Sequence, residues 1–196
     1  MKRIYTITLI LFQFVWIKSA EAQLYINEVM TNNDSWVDPY GDLSDFIEIY
    51  NPTDQQVLLS EVALKDGSGH LWMGADDGLV LEPGGWYVVY ADGLQSGGQH
   101  APFSLNSDGD EVTLLVSGQA VDRIATGTLG KDVSWARIPD GGTWYPTVWI
   151  TRGETNGTEP SPTLDTDPFL YNHLYQIEIT LNNSSYNSLL SSPRTY

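Results

Sequence analysis

The stretch that decides the fold is residues 82–90, which read Glu-Pro-Gly-Gly-Trp-Tyr-Val-Val-Tyr. A proline–glycine turn leads directly into five aromatic and β-branched residues, a composition that favours a strand over a helix. Because residues 86–90 are apolar at every position, both faces of this strand are expected to be buried, as in the centre of a sheet.

The same alternation of short apolar runs and turns extends through the chain. Gly, Pro, Asn and Asp interrupt the runs every eight to twelve residues, and no segment after residue 22 keeps a helical apolar period over three turns. This spacing predicts an all-β sandwich or barrel without parallel crossover units. Turns at residues 107–110 and 117–119 each predict a hairpin-like pair. The predicted strands are residues 24–30, 46–50, 57–64, 70–73, 86–91, 111–116, 120–124 and 133–138.

Composition excludes several classes of function. The chain has 196 residues, 41% of them hydrophobic, no cysteine and a formal net charge of −16. A core can form, but no disulfide, thiolate zinc site or cysteine nucleophile is available. Nucleic acid and anionic membrane surfaces are disfavoured as partners, because both require a basic protein surface.

Residues 1–22 have the pattern of a secretory signal peptide. Lys2 and Arg3 precede a mostly apolar run at residues 4–17, and Ala20-Glu21-Ala22 is a small-x-small cleavage signal. We therefore expect Ala20 and Ala22 to direct cleavage, with Gln23 as the new N-terminus. The run is too short to span a bilayer, so we expect no membrane span after cleavage, although an uncleaved anchor is the alternative. The predicted location is the periplasm or the extracellular space.

Several ordered blocks of sequence resemble a bacterial lamin-tail domain. The resemblance covers roughly residues 24–157 and implies an immunoglobulin-like β-sandwich. It departs from the family near its end, where this chain has Thr151-Arg152-Gly153 and then Asn156. The blocks that carry it are Ile26-Asn27-Glu28-Val29-Met30, residues 45–53 (Asp-Phe-Ile-Glu-Ile-Tyr-Asn-Pro-Thr), 57–60, 81–89, 103–106, 109–114, 121–122 and 134–141.

The C-terminal part reads as a linker followed by the start of another unit. Residues 158–170 are rich in Thr, Pro and acidic residues, and residues 175–181 alternate like a half-buried strand before a short predicted helix. Residues 171–196 resemble the first strand and helix of a CotH-type (spore-coat-kinase-like) domain. That resemblance implies a phosphoryl-transferring parent protein whose catalytic residues would lie beyond Tyr196. No catalytic or cofactor-binding residue is assigned in this chain.

The acidic loop between the first two strands is the one candidate metal site. Asp34, Asp38, Asp42 and Asp45 lie on it, and clustered carboxylates on a loop can bind Ca²⁺. A solvated acidic loop with Asx turns is the alternative, because the spacing is not that of an EF-hand. His70, His100 and His173 share no ligand spacing.

Two further interpretations concern aromatic and acidic residues in the predicted strands. Trp72, Trp86, Trp135 and Trp144 are expected in the core or at its edge, with an exposed carbohydrate-binding platform as the alternative. Asp45 and Glu48 fall on opposite faces of one strand, so spacing alone does not make them a catalytic carboxylate pair.

The sequence thus favours a non-catalytic, secreted interaction or accessory module, the N-terminal part of a larger protein. Its expected partner is a protein or polysaccharide at the cell surface, or a downstream domain of the same chain. Two alternatives stay open: a fragment of a secreted CotH-like kinase, and a calcium-stabilised adhesive or structural domain.

Overall fold

The computed structural model describes residues 23–94 and 97–160, and their regular structure is almost entirely β-strand. The predicted all-β class is therefore confirmed, whereas the signal segment and the C-terminal strand and helix lie outside the described residues. In chain order the strands in the described ranges are β1 (Tyr25–Met30), β2 (Asp45–Tyr50), β3 (Val57–Leu58), β4 (Val62–Lys65), β5 (Leu71–Met73), β6 (Val80–Leu81), β7 (Trp86–Ala91), β8 (Glu111–Val116), β9 (Gln119–Ala125), β10 (Ser134–Ile138) and β11 (Thr143–Thr147).

Two antiparallel sheets form an immunoglobulin-like β-sandwich. The larger sheet has the strand order β11-β10-β1-β2-β7, and the smaller one has the order β5-β4-β8-β9. Strands β3 and β6 form a separate short pair. The larger sheet pairs β1, the first strand, with β10, so strands far apart in the sequence are neighbours in it.

The core contains apolar side chains from the inner faces of the two sheets. Ile26, Ile47 and Val89 contribute from the larger sheet, and Leu64 and Leu114 from the smaller one. Trp72 is fully buried, while Trp135 and Trp144 pack against the core from its edge. Trp86 is half-buried and stacks on the ring of Tyr50. The predicted core or core-edge position is confirmed for Trp72, Trp135 and Trp144, whereas Trp86 lies outside both apolar clusters.

The predicted single strand at residues 57–64 is wrong in one respect. A 3-10 turn at Leu59–Glu61 divides it into β3 and β4, which belong to different sheets. Val57 and Leu59, the first residue of the turn, are buried, and so are Val62 and Leu64 after the turn. The turn shifts the two-residue alternation of buried positions by one, so Val57, Leu59, Val62 and Leu64 all face the core.

The apolar strand that decides the fold lies at the edge of its sheet, not at the centre. β7 pairs with β2 alone among the strands described here. Part of its other edge is covered, because the backbone N–H of Tyr90 donates to the carbonyl of Gln99 (2.7 Å) and that of Ala101 donates to the carbonyl of Tyr90 (2.8 Å). The Gln99 side chain also donates to the carbonyl of Val88 (3.0 Å). The apolar composition has a separate cause, because Val89 packs in the main core while Val88 and Tyr90 are buried in an apolar cluster on the other face.

Two predicted turns have different outcomes. Ser117 and Gly118, both with positive φ, join β8 to β9 in the expected hairpin. The turn at residues 107–110 precedes β8, but no strand in the described chain ends at it, so the hairpin predicted there is wrong. Strands β6 and β11 were not predicted from the sequence.

The outer face of the larger sheet is covered by residues 148–157, here called the closing segment. Ile150 packs on an apolar cluster of Met30, Phe46, Val88 and Tyr90. All four cluster residues are buried although they point away from the main core. None of the described residues forms a helix with the length and apolar character needed to cross a lipid bilayer.

Candidate functional site

Several loops of the sandwich emerge at one end of the larger sheet. Met30, the last residue of β1, pairs with Phe46, and Asp45, the first residue of β2, pairs with Ala91 at the end of β7. Met30 also pairs with Ser134, the first residue of β10. Register therefore places residues 31–44 and the chain after Ala91 at the same end, here called the loop end.

Asn33 fixes the first half of the loop at residues 31–44. Its side-chain amide donates to the carbonyls of Trp36 and Ser44, both at 2.8 Å, and its side-chain oxygen accepts from the backbone N–H of Trp36 at 2.9 Å. One side chain thus connects both sides of the loop, so this loop is held by specific hydrogen bonds.

Asp38 fixes the second half. Its carboxylate accepts the backbone N–H groups of Tyr40 (2.8 Å) and Asp42 (3.0 Å) and the hydroxyl of Ser44 (2.7 Å). Burial acts to raise the pKa of Asp38, but these hydrogen bonds outweigh it and hold the pKa below its ordinary value. The carboxylate is therefore committed to the loop as an Asx turn.

Two basic residues attach this loop to the rest of the domain. The Arg152 guanidinium donates to the carbonyl of Val37 (3.0 Å) and lies over the rings of Trp36 and Phe46. Lys131 forms an ion pair with Asp34 (3.0 Å). The loop thus contacts both the closing segment and the chain that precedes β10.

The ordered loop exposes several large apolar side chains. Val37, Tyr40 and Leu43 are 55%, 52% and 50% exposed, and Trp36 is partly exposed beside them. Single exposed apolar residues are ordinary on protein surfaces, but a group on one hydrogen-bonded loop is typical of a contact surface. We call these four residues the apolar loop surface.

A polar cleft of about 570 Å³ lies beside the apolar loop surface. Asp42, Asp45 and Asp92 line it together with Thr31, Ser104 and Leu105. Asp45 accepts the backbone N–H of Asn33 at 3.0 Å, and burial raises its pKa to about 6. The cleft therefore contains a carboxylate that is partly removed from water and has one oxygen directed to a backbone group.

The structure also contains a buried carboxylate pair that the sequence analysis missed. Glu28 and Glu48 lie opposite each other in the β1–β2 register, and both are fully buried beneath the closing segment. Burial is the largest cause that raises the pKa of each, to about 8 for Glu48. Neither carboxylate is reachable from solvent, which favours a structural role over acid–base catalysis.

Every oxygen of this pair accepts a hydrogen bond. Glu28 accepts the hydroxyl of Ser134 (2.6 Å) on one oxygen and the hydroxyl of Thr151 (3.0 Å) on the other. Glu48 accepts the side-chain amide of Asn27 (2.8 Å) and the backbone N–H of Gly153 (2.6 Å). The pair thus ties the closing segment to the two central strands, as buried polar groups require.

Asn156 completes the attachment of the closing segment. Its side-chain amide donates to the carbonyls of Asn27 (3.1 Å) and Arg137 (3.0 Å), and its backbone N–H donates to Asp140 (3.0 Å). The residues at which the sequence departs from the lamin-tail resemblance, from Thr151 to Asn156, are therefore those that bind the sheet.

The four predicted calcium ligands do not converge in the structure. Asp34 pairs with Lys131, Asp38 holds its own loop, and Asp42 and Asp45 line the cleft. Within residues 23–94 and 97–160, no three carboxylates or imidazoles lie close enough together to hold a metal ion. Calcium binding stays a prediction. Of the predicted cleavage residues, Ala20 and Ala22 lie outside the described chain, whose first residue is Gln23.

The histidines serve other contacts. His70 pairs with Asp66, and His100 pairs with Asp92 beside the cleft. His173 lies outside the described residues.

Comparison with known proteins identifies one family. The family model described as the lamin tail domain matches residues 17–128, more than half of the chain. The match stops before β10 and β11, although both strands belong to the larger sheet of the same sandwich. No curated protein and no solved structure matches the chain.

Proposed function

The chain belongs to the lamin tail domain family, and on that premise we propose that it is a non-catalytic interaction module whose contact surface is the loop end of the sandwich. The single observation that carries the proposal is the apolar loop surface. Its four large side chains are exposed on a loop that Asn33 and Asp38 hold in one conformation. A preorganised surface binds with less loss of conformational entropy than a flexible one.

The family and the buried carboxylates together support a non-catalytic role. Lamin tail domains are non-enzymatic immunoglobulin-like domains. Glu28 and Glu48, which pair in register, are closed off by residues 148–157, and all their carboxylate oxygens accept hydrogen bonds. Substrate would have to displace the closing segment to reach it.

We propose a secreted location, with a protein at the cell surface as the partner. Residues 1–22 support secretion through their charge, apolar run and cleavage signal. The test is intact-mass analysis of the protein recovered from the source cells. A chain that begins at Gln23 is the expected result, and a retained Met1 would contradict it.

A second candidate is a module attached to a CotH-like kinase domain. The alternating pattern at residues 175–181 favours it, because such an apolar strand face requires a partner to cover it. Reading the source DNA beyond the codon for Tyr196 tests this directly. An open frame that encodes kinase motifs would support it, whereas a stop codon there would remove it.

A calcium-stabilised adhesive domain is the third candidate, and the acidic loop favours it. The test compares the melting temperature of the purified protein in chelator with that in millimolar Ca²⁺. A clear increase with Ca²⁺ is required, because a ligand that binds only the folded state raises its stability.

The contact surface is tested by selecting peptides from a displayed library against the purified protein. Peptides that depend on the loop should lose binding to a Trp36→Ala/Tyr40→Ser double variant. They should keep binding to a matched Leu71→Ser/Met73→Ser variant, which removes exposed apolar side chains from edge strand β5. Selected peptides that still bind the loop variant but no longer bind the β5 control variant would place the contact surface elsewhere. Binding of polysaccharides alone would refute a protein partner.

A further inference from the structure

The cleft beside the apolar loop surface has acidic side chains and no basic side chain in its lining. Of the three carboxylates that line it, that of Asp92 is already occupied, because it accepts the backbone N–H of Leu94 at 2.9 Å and contacts the ring of His100. Asp42 and Asp45 therefore supply the acceptor oxygens that a ligand could use. The chain as a whole is strongly acidic, with 25 acidic and 9 basic residues.

Asp45 is the more buried of these two carboxylates. It is the first residue of β2, and its partner in register is Ala91, whose side chain belongs to the main core. One carboxylate oxygen accepts from Asn33, and burial raises the pKa of the group to about 6. A carboxylate that is desolvated without a nearby cation is stabilised when a cation reaches it.

Thr31 provides an independent observation in the same cleft. It is 1% exposed and lines the cleft, and its hydroxyl has no hydrogen-bond partner among the described residues. Buried hydroxyls are nearly always paired, since an unpaired one carries an unfavourable desolvation free energy. A donor that enters the cleft would pair it after a small rearrangement of the lining, because the hydroxyl oxygen itself is buried.

The size and lining of the cleft indicate the class of donor. A cleft of about 570 Å³ is far larger than a single ion, and the described residues bring no three metal ligands together there. Leu43, Leu94 and Leu105 supply apolar surface next to the carboxylates. Charged heads on aliphatic stems, as in lysine and arginine, match such a combination.

Resting on the proposed function, we infer that the cleft binds a lysine or arginine side chain of the partner polypeptide. The cationic head donates to Asp45 and, after a small shift of the lining, to the Thr31 hydroxyl, while the exposed Asp42 supplies a second carboxylate. The aliphatic stem packs on Leu43 and Leu94. The apolar loop surface holds the neighbouring residues of the same polypeptide, so the site combines one basic anchor with apolar contacts.

The test uses a capped hexapeptide of alternating lysine and leucine, with a second peptide that has glutamine in place of lysine. Each is titrated into the ¹⁵N-labelled full-length protein, and the backbone amide shifts of Asn33, Asp45 and Ala91 are followed. We expect saturable shifts with the lysine peptide and weaker binding at high salt, because ion-pair contacts at a partly exposed site are screened.

Two conservative variants and one control assign the effect to the cleft. Asp45→Asn retains an oxygen for Asn33, and Thr31→Val keeps the shape of the side chain. Each should weaken lysine-peptide binding, with roughly a tenfold loss for Asp45→Asn, the scale of one charge-assisted hydrogen bond. Asp76→Asn removes the same charge from an exposed loop outside the cleft and should leave affinity unchanged.

The outcomes separate this inference from the proposed function. If the glutamine peptide binds equally well and only the loop double variant weakens binding, the interaction module stands and the basic anchor is refuted. If library peptides depend on the loop but the lysine peptide causes no cleft shifts, the basic anchor is again refuted alone. Cleft shifts caused by Ca²⁺ and not by the lysine peptide would replace the anchor with a metal site. If the library peptides bind the loop double variant as tightly as the wild type, the proposed function itself is refuted.

Discussion

Glu48→Gln should change how the stability of this domain depends on pH. Glu48 is fully buried on the outer face of the larger sheet, where it accepts from Asn27 and Gly153. Burial is the main cause that raises its pKa from 4.5 to about 8, and the neighbouring charges of Glu28 and Asp140 add to it. The folded domain therefore favours the protonated side chain near neutral pH.

The sign and size of the effect follow from linkage. The unfolded chain releases this proton above about pH 4.5, whereas the folded chain keeps it up to about pH 8. The stabilising contribution of Glu48 is therefore complete below pH 4.5 and is lost as the pH rises through 8. Since one pKa unit corresponds to about 1.4 kcal/mol, the loss is roughly 3 kcal/mol at pH 7. Glutamine does not ionise. Its side-chain oxygen can accept from only one of the two N–H donors, Asn27 and Gly153, and its NH2 group faces the other donor. This mismatch should lower the free energy of unfolding by about 1–2 kcal/mol at every pH.

The assay is urea unfolding followed by tryptophan fluorescence at several pH values between 5 and 8. The free energy of unfolding of Glu48→Gln, relative to that of the wild type, should rise by roughly 2–4 kcal/mol from pH 5 to pH 8. The expected range is wide because Glu28 and Glu48 interact, so the protons are lost from the pair and not from one residue alone. Glu82→Gln, on the exposed turn before β7, is the matched control and should follow the wild type. A difference between Glu48→Gln and the wild type that stays constant with pH would show that Glu48 is ionised in the folded domain.

Two further substitutions test the packing of the sandwich. Arg137→Lys keeps the charge but loses the planar guanidinium, which donates to the carbonyls of Ile26 (2.9 Å) and Gly142 (2.7 Å) and, from one nitrogen, to both oxygens of Asp122 (3.0 and 3.1 Å). It also loses the cation–π contacts of the guanidinium with two aromatic rings. It should destabilise the domain by about 2–3 kcal/mol in urea unfolding, and a loss below about 0.5 kcal/mol would contradict the expectation. Gly109→Ala would place a Cβ 2.7 Å from the Cα of Gly127 at a φ of +114°, whereas Gly118→Ala meets nothing within 4 Å. Thermal unfolding should therefore show a loss of about 2 kcal/mol or more for Gly109→Ala and about 1 kcal/mol for Gly118→Ala, and equal losses would refute the close approach.

The strands whose apolar residues alternate were predictable because their boundaries have local causes. Asn51-Pro52 ends β2 at Tyr50, as expected from a proline that restricts the residue before it. The break in residues 57–64 also had a local signal. The polar pair Ser60-Glu61 interrupts the apolar residues 57–59 and 62–64. The structure shows that the buried positions change phase across this pair, from Val57 and Leu59 to Val62 and Leu64.

The position of β7 could not be predicted in the same way. Apolar residues on both faces indicate burial, but they do not indicate which part of the protein supplies the cover. In the structure, residues 99–101 cover part of its edge, and Ile150 packs on Val88 and Tyr90. A central strand and a covered edge strand have the same local pattern, and only the long-range contacts distinguish them.

The burial of Glu28 and Glu48 could not be predicted for the same reason, because it depends on long-range contacts. In an alternating strand a charged residue is expected to face solvent, because an unpaired buried charge is strongly unfavourable. The hydrogen bonds that allow their burial come from Thr151 and Gly153, separated by 123 and 105 positions along the chain. The acidic loop, in contrast, was identified from the sequence. Spacing could not show that the Asp38 carboxylate would accept hydrogen bonds from its own loop, or that Asp45 would line a cleft.

The closing segment determines which surfaces are left for a partner. It covers the outer face of the larger sheet, and residues 99–101 cover part of the β7 edge, while the opposite edge strand, β11, contains Pro146, which has no N–H to donate. Addition of a partner strand to this sheet is therefore disfavoured at both edges. The loop end keeps its exposed apolar side chains and its acidic cleft because the segment that closes the sheet also anchors the loop through Arg152. Detachment of residues 148–157 should thus weaken binding at the loop end, because the loop loses its contact with Arg152.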